Sequence, residues 1–98
     1  MKMLVWVMYD ICSNTIRNAV IKICKNYGLY RVQKSVFLGT LNRNEIDTVA
    51  LECGAVVEPE VDSIYIFPMC DDDFKKVKLI GNAFDKDLVS DDVISKFF

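Results

Sequence analysis

Asp10 closes an uninterrupted apolar run, Met3-Leu4-Val5-Trp6-Val7-Met8-Tyr9, and a carboxylate at the end of a hydrophobic strand sits where functional groups of open sheets project. Two roles suit it. It can turn the chain and cap amides ahead of the next helix, or it can serve catalysis by holding a metal. A single carboxylate is a poor Mg²⁺ site, because that ion takes one or two carboxylates together with waters and substrate phosphate oxygens. A second copy of the chain would supply the second. Farther on, Tyr30-Arg31-Val32-Gln33-Lys34-Ser35-Val36-Phe37 places Arg31, Gln33 and Ser35 on alternate positions, with Lys34 at a bend and aromatics on either side. Arg offers planar charge-assisted donors, and Ser and Gln add neutral ones, a set that grips phosphates without reading bases. An ordinary strand with one solvated face has the same spacing. The run Asp71-Asp72-Asp73 fits the positive end of a helical turn better than a metal site, since three adjacent side chains do not converge on one ion.

Other chemistry is excluded by composition. The chain has no histidine, so neither a Ser-His-Asp or Cys-His nucleophile nor His-ligated zinc can be built within it. Cys12, Cys24, Cys53 and Cys70 show no CxxC spacing. Three of them, all but Cys12, read as small core residues. The net charge of -2 hides a split: residues 1–41 hold Lys2, Arg17, Lys22, Lys25, Arg31 and Lys34 against Asp10 alone, a local +5, and the remainder sums to -7. A polyanion partner is therefore compatible with an acidic chain, because a local field acts over about 8 Å at physiological salt.

Ninety-eight residues, 52% of them hydrophobic, suffice for one core and one domain. The first apolar run is far shorter than the roughly 18 residues of a membrane span and has no cleavage site after it, as expected of a soluble, cytoplasmic chain. Met3 to Tyr9 reads as a central strand. Ser13 or Asn14 caps a helix whose stripe is Ile16, Ala19, Val20, Ile23, Cys24 and Tyr27, closed by Gly28. Leu29 to Leu41 is β-prone, as one bent strand or two turning near Lys34-Ser35. Asn42 and Glu45 form a capping box for a second helix ending at Gly54. Asp62 to Phe67 is a strand stopped by Pro68, Asp71 to Lys76 a helical turn, and Val77 to Gly81 a further strand. Asp91-Asp92 would cap a terminal helix through Ile94 and Phe97. This order gives an α+β, ferredoxin-like βαββαβ sandwich with two helices on one sheet face. Apolar residues on the other face, drawn from Trp6, Phe37 and Phe67, call for a second chain, hence a homodimer.

Taken together, Val7-Met8-Tyr9-Asp10-Ile11, Gly28-Leu29-Tyr30-Arg31-Val32-Gln33-Lys34-Ser35-Val36-Phe37-Leu38-Gly39 and Asp62-Ser63-Ile64-Tyr65-Ile66-Phe67-Pro68-Met69 resemble the CRISPR-associated protein 2 family, over roughly residues 1–81. The resemblance implies a ferredoxin-like homodimer of the CRISPR adaptation machinery, partner of the CRISPR integrase in capturing foreign DNA. It also implies Mg²⁺-dependent endonuclease activity on single-stranded RNA or double-stranded DNA. Asp10 of each protomer would face its mate and hold the metal, so that Asp10 is at once the catalytic and the metal residue. Arg17, Arg31, Lys34, Ser35 and Phe37 match functional or nucleic-acid-facing positions, although packing alone would also account for Phe37. An extra C-terminal strand, Val77 to Gly81, would pair with the other protomer's sheet, and residues 82–98 form a tail that matches no pattern. Alternatives are an inactive DNA-bridging scaffold, a toxin-type ribonuclease and a small-ligand regulatory module of the same fold.

Overall fold

The computed structural model describes residues 2–81. The β-rich N-terminal run forms β1 (Lys2–Asp10), and Ser13 caps α1 (Asn14–Asn26) by accepting the Ile16 N–H. The stop at the other end is local too. Gly28, at φ 77°, reverses the chain after Tyr27 and lets the Gly28 and Leu29 amides return to the carbonyls of Lys25 and Cys24 at 3.0 and 3.1 Å, satisfying groups the helix end leaves open.

The β-prone stretch resolves into two strands, β2 (Tyr30–Gln33) and β3 (Val36–Asn42), turning at Lys34-Ser35. Asn42 and Glu45 exchange hydrogen bonds of 2.8 and 2.9 Å at the start of α2 (Arg43–Val56). The helix runs two residues beyond Gly54, which meets nothing that requires a glycine. β4 (Ser63–Met69) continues through Pro68. The sheet order is β2-β3-β1-β4 with every pair antiparallel, which makes β4 an edge strand, where a missing N–H is tolerated. A short α3 (Asp71–Lys75) carries the three aspartates in its first turn.

This topology is the ferredoxin-like βαββαβ sandwich. The two long helices cover one face, where Val5, Val7, Tyr9, Phe37 and Leu41 meet Val20, Cys24, Val49 and Cys53. The other face is not left bare. Leu4, Trp6 and Leu38 are buried beneath Phe74 of α3, with Val77 and Leu79 packed beside them, and the Trp6 and Phe74 rings lie 6.0 Å apart.

Three expectations are corrected. Phe37 lies on the helix side, because its register partner is Val7, an inward residue of β1, and Trp6 is covered by the chain's own α3; of the three aromatics expected on the open face, Phe67 alone is exposed, beside Tyr65. Cys70 is exposed at the start of α3, so two cysteines rather than three are core residues. Pro68 lies within β4 instead of stopping it. Residues 77–81 are not part of the sheet of the single chain; the strand expected there is one that pairs with another protomer. The terminal helix expected from Asp91-Asp92 and the tail 82–98 lie outside the described residues. No helix among the described residues is long and apolar enough to cross a membrane.

Candidate nucleic-acid and metal site

β1 delivers Asp10 to the rim of the sheet, where it is exposed, and its carboxylate has neither a hydrogen bond nor an ion pair among the described residues. The group is ready to accept a ligand. No set of three His, Cys, Asp or Glu side chains able to hold a metal occurs among the described residues, so one copy of the chain offers a hard cation a single carboxylate here. That donor set fits Mg²⁺, which retains water and takes phosphate oxygens, provided a second copy contributes its own Asp10.

Around Asp10 the loops are tied down by arginines. The Arg17 guanidinium, half-buried on the first turns of α1, donates from Nη1 to the Ile11 carbonyl at 2.9 Å and from Nη2 to the Asn14 side chain, fixing the segment that leaves β1. Arg31, exposed on β2, donates from Nε and Nη2 to the Lys34 carbonyl at 3.1 and 2.7 Å. The expected phosphate-binding arginines thus hold backbone as well. Lys34 is exposed at the turn, with its ammonium making no ion pair among the described residues, and Ser35 is half-buried beside it.

Phe37 is the exception. It is completely buried, with its ring 6.4 Å from that of Tyr9, so it supports the site from beneath and has no surface with which to touch nucleic acid. Tyr9 is the residue that sequence reading passed over. Its ring is buried, its hydroxyl donates to the Lys34 carbonyl at 3.0 Å, and its N–H reaches the Ser35 carbonyl at 3.1 Å. A polar-tipped aromatic at an inward position next to Asp10 was the available signal, because a buried phenol needs a partner. Burial raises the Tyr9 phenol above its usual 10.0, against the opposing pull of the nearby Arg31 and Arg17 charges. Arg17 and Arg31 therefore share one neighbourhood at the end of β1.

The two buried thiols are poor nucleophiles. Burial, reinforced by mutual repulsion with Cys53, pushes Cys24 up to about 12, and burial with the adjacent Glu52 charge pushes Cys53 up to about 11. Only the thiolate reacts, so neither buried cysteine serves as a nucleophile in the folded chain.

Comparisons with known proteins bear on the family and the fold. Residues 3–77 match the family described as CRISPR associated protein Cas2. A CRISPR-associated endoribonuclease Cas2 1 from Archaeoglobus fulgidus is 40% identical over 68 residues, covering 69% of this chain and 72% of the relative. A CRISPR-associated endoribonuclease Cas2 from Korarchaeum cryptofilum is 36% identical over 79 residues, 81% of this chain and 85% of the relative. The crystal structure of Streptococcus pyogenes Cas2 at pH 6.5 superposes with a TM-score of 0.69 at 26% identity, over 81% of this chain and all of that one. With the family matched across most of its length, the chain belongs to the CRISPR-associated protein Cas2 family.

Proposed function

We propose that two copies of this chain bind a nucleic-acid backbone and cleave it as a divalent-metal-dependent endonuclease within CRISPR adaptation, in partnership with the CRISPR integrase. The observation that carries this reading is the exposed, unpartnered Asp10 carboxylate at the end of β1, the strand whose preceding residue, Tyr9, lies near the Arg17 and Arg31 charges and bonds to the Lys34 carbonyl. Asp10 of each protomer would hold the Mg²⁺, which when bound lowers the pKa of water and neutralises phosphate charge. Lys34, and Arg31 through whatever N–H groups its bonds to the Lys34 carbonyl and to Tyr9 leave over, would bind phosphate oxygens, and Ser35 would add a neutral donor. Arg17 keeps the Asp10 loop in place while adding positive field. None of these groups reads a base edge, so recognition is of backbone rather than sequence.

Dimerisation is favoured by the apolar surface left on the α3 side of the sheet. Tyr65 and Phe67 stand exposed with their rings parallel and 6.1 Å apart, next to an open hollow of about 310 Å³ lined by Trp6, Met8, Phe67, Met69, Val77, Lys78 and Leu79. A second copy seated there would cover these side chains, and residues 77–81 would gain the strand partner that their own sheet does not give them. The relatives named above are called endoribonucleases, which supports RNA as the substrate class; we take single-stranded RNA as the first candidate and duplex DNA as the second.

A scaffold reading is favoured by one specific observation, the single carboxylate that each chain brings to the site. In that case the dimer bridges duplex DNA and the integrase does the chemistry. The two are separated by cleavage of single-stranded RNA and duplex DNA with Mg²⁺, with chelator, and by Asp10→Ala, alongside sedimentation. A nuclease loses cleavage on both chelation and substitution while remaining a dimer. Cleavage that survives Asp10→Ala sinks the assignment of this site, and salt-dependent duplex binding with no cleavage by the wild type identifies the scaffold.

A further inference from the structure

The turn between β2 and β3 is held in an unusual way. It has two residues, Lys34 and Ser35, closing on the pair Gln33 and Val36. Two-residue hairpins whose twist suits their strands use positive φ at one or both central positions, yet no non-glycine residue among those described has positive φ. The register also shifts between Arg31 and Gln33, a local irregularity of the kind that bends a strand and frees part of its ladder. The turn therefore lacks the primed geometry that best suits a two-residue hairpin. Bonds from outside the turn add to its hold.

Those bonds converge on one atom and its neighbour. The Lys34 carbonyl accepts from the Tyr9 hydroxyl at 3.0 Å and from Arg31 Nε and Nη2 at 3.1 and 2.7 Å, and the Ser35 carbonyl accepts the Tyr9 N–H at 3.1 Å. Tyr9 is well suited to act as an anchor. It precedes Asp10 on the central strand, its ring is 5% exposed, and Phe37 packs against it. A rigid phenol loses little freedom when it bonds, whereas a lysine on an unsupported turn must be ordered anew with each phosphate it meets.

We propose that Tyr9 is a positioning residue for nucleic-acid binding, whose hydroxyl, with Arg31, clamps the Lys34 carbonyl and so fixes the stretch of backbone from which the Lys34 side chain reaches out near the end of β1. This rests on the backbone-binding reading above and extends it: the anchor ties the phosphate-binding turn to the strand that ends in the catalytic carboxylate. Tyr9 itself touches no phosphate. It acts through Lys34, and loss of its hydroxyl matters only while the Lys34 side chain is there to be positioned.

The test is a double-mutant cycle on the dimer with Tyr9→Phe, Lys34→Ala and the pair, read as anisotropy of a fluorescein-labelled random-sequence DNA duplex across a salt series. Tyr9→Phe keeps the ring and should weaken binding about three- to tenfold, the effect of one lost hydrogen bond. Lys34→Ala should weaken it and lower the salt slope by about one phosphate contact, and adding Tyr9→Phe to that background should change nothing further. In the protein without DNA, Tyr9→Phe should speed amide exchange at residues 33–36 and leave the α2 amides unchanged. An equal loss from Tyr9→Phe with and without the Lys34 side chain, or no loss in either, overturns the positioning role while leaving the backbone-binding reading standing. A wild type with no salt-dependent binding overturns both.

Discussion

Phe37 is where family resemblance and physical structure pull apart, and a substitution there decides between them. Its side chain is completely buried and paired with the Tyr9 ring at 6.4 Å, so the structure assigns it to packing. Phe37→Ala would empty that volume at a cost of about 3–5 kcal/mol, a large part of the roughly 5–15 kcal/mol available to a domain. Phe37→Leu retains most of the volume and should cost about 1–2 kcal/mol. At about 4–8 °C per kcal/mol for a chain of this size, the leucine variant should melt about 5–15 °C below wild type. Thermal unfolding by circular dichroism measures that loss, and duplex binding is then measured well below the lowered midpoint. Binding within about twofold of wild type is expected, because all charged donors remain and one neutral contact is worth no more than the hydrogen-bond scale. A leucine variant that melts like wild type but no longer binds nucleic acid would refute the reasoning, since only direct contact with the ligand produces that combination.

Gly39→Ala should destabilise by about 1–3 kcal/mol in urea unfolding, because a Cβ there would lie 2.6 Å from Leu29 Cδ2 and 3.2 Å from Leu29 Cα; an unchanged midpoint would mean that the two segments do not approach as described. Cys24 and Cys53 have folded values near 12 and 11 against an ordinary 9.0, so the folded state holds their protons more tightly than the unfolded one. Stability from this source is complete below pH 9 and falls as pH rises from about 9 towards 11–12; melting temperatures should decline over that window and Cys24→Ala should flatten the decline, whereas a pH-independent midpoint would contradict the assigned burial.

Much of the fold was legible because its signals are local. Ser13 and the Asn42/Glu45 box cap their helices through contacts within three residues, Gly28 ends α1 by its own backbone freedom, and the apolar stripe of α1 repeats on one side. Charge placement and the lack of histidine narrowed the chemistry in the same local way. Asp10 could be singled out because it interrupts an apolar run. The errors arise where a residue's place depends on a partner distant in sequence. Phe37 is assigned a face by Val7, Pro68 is tolerated because β4 lies at an edge, and Trp6 is covered by a helix that follows it by more than sixty residues in the chain.

By itself, then, the amino-acid order determined the succession of strands and helices, their ends, and a shortlist of groups able to meet a phosphate. It did so because caps, turns and periodicity act over a few bonds. Only the tertiary structure decided which of those groups are free and which are spent. It turned two candidate phosphate-binding arginines into braces for Ile11 and Lys34, buried Phe37, and gave Tyr9 two bonds to a turn twenty-five residues away. A side chain's remaining donors depend on what packing brings beside it, and neighbours across a sheet are set by register rather than by distance along the chain.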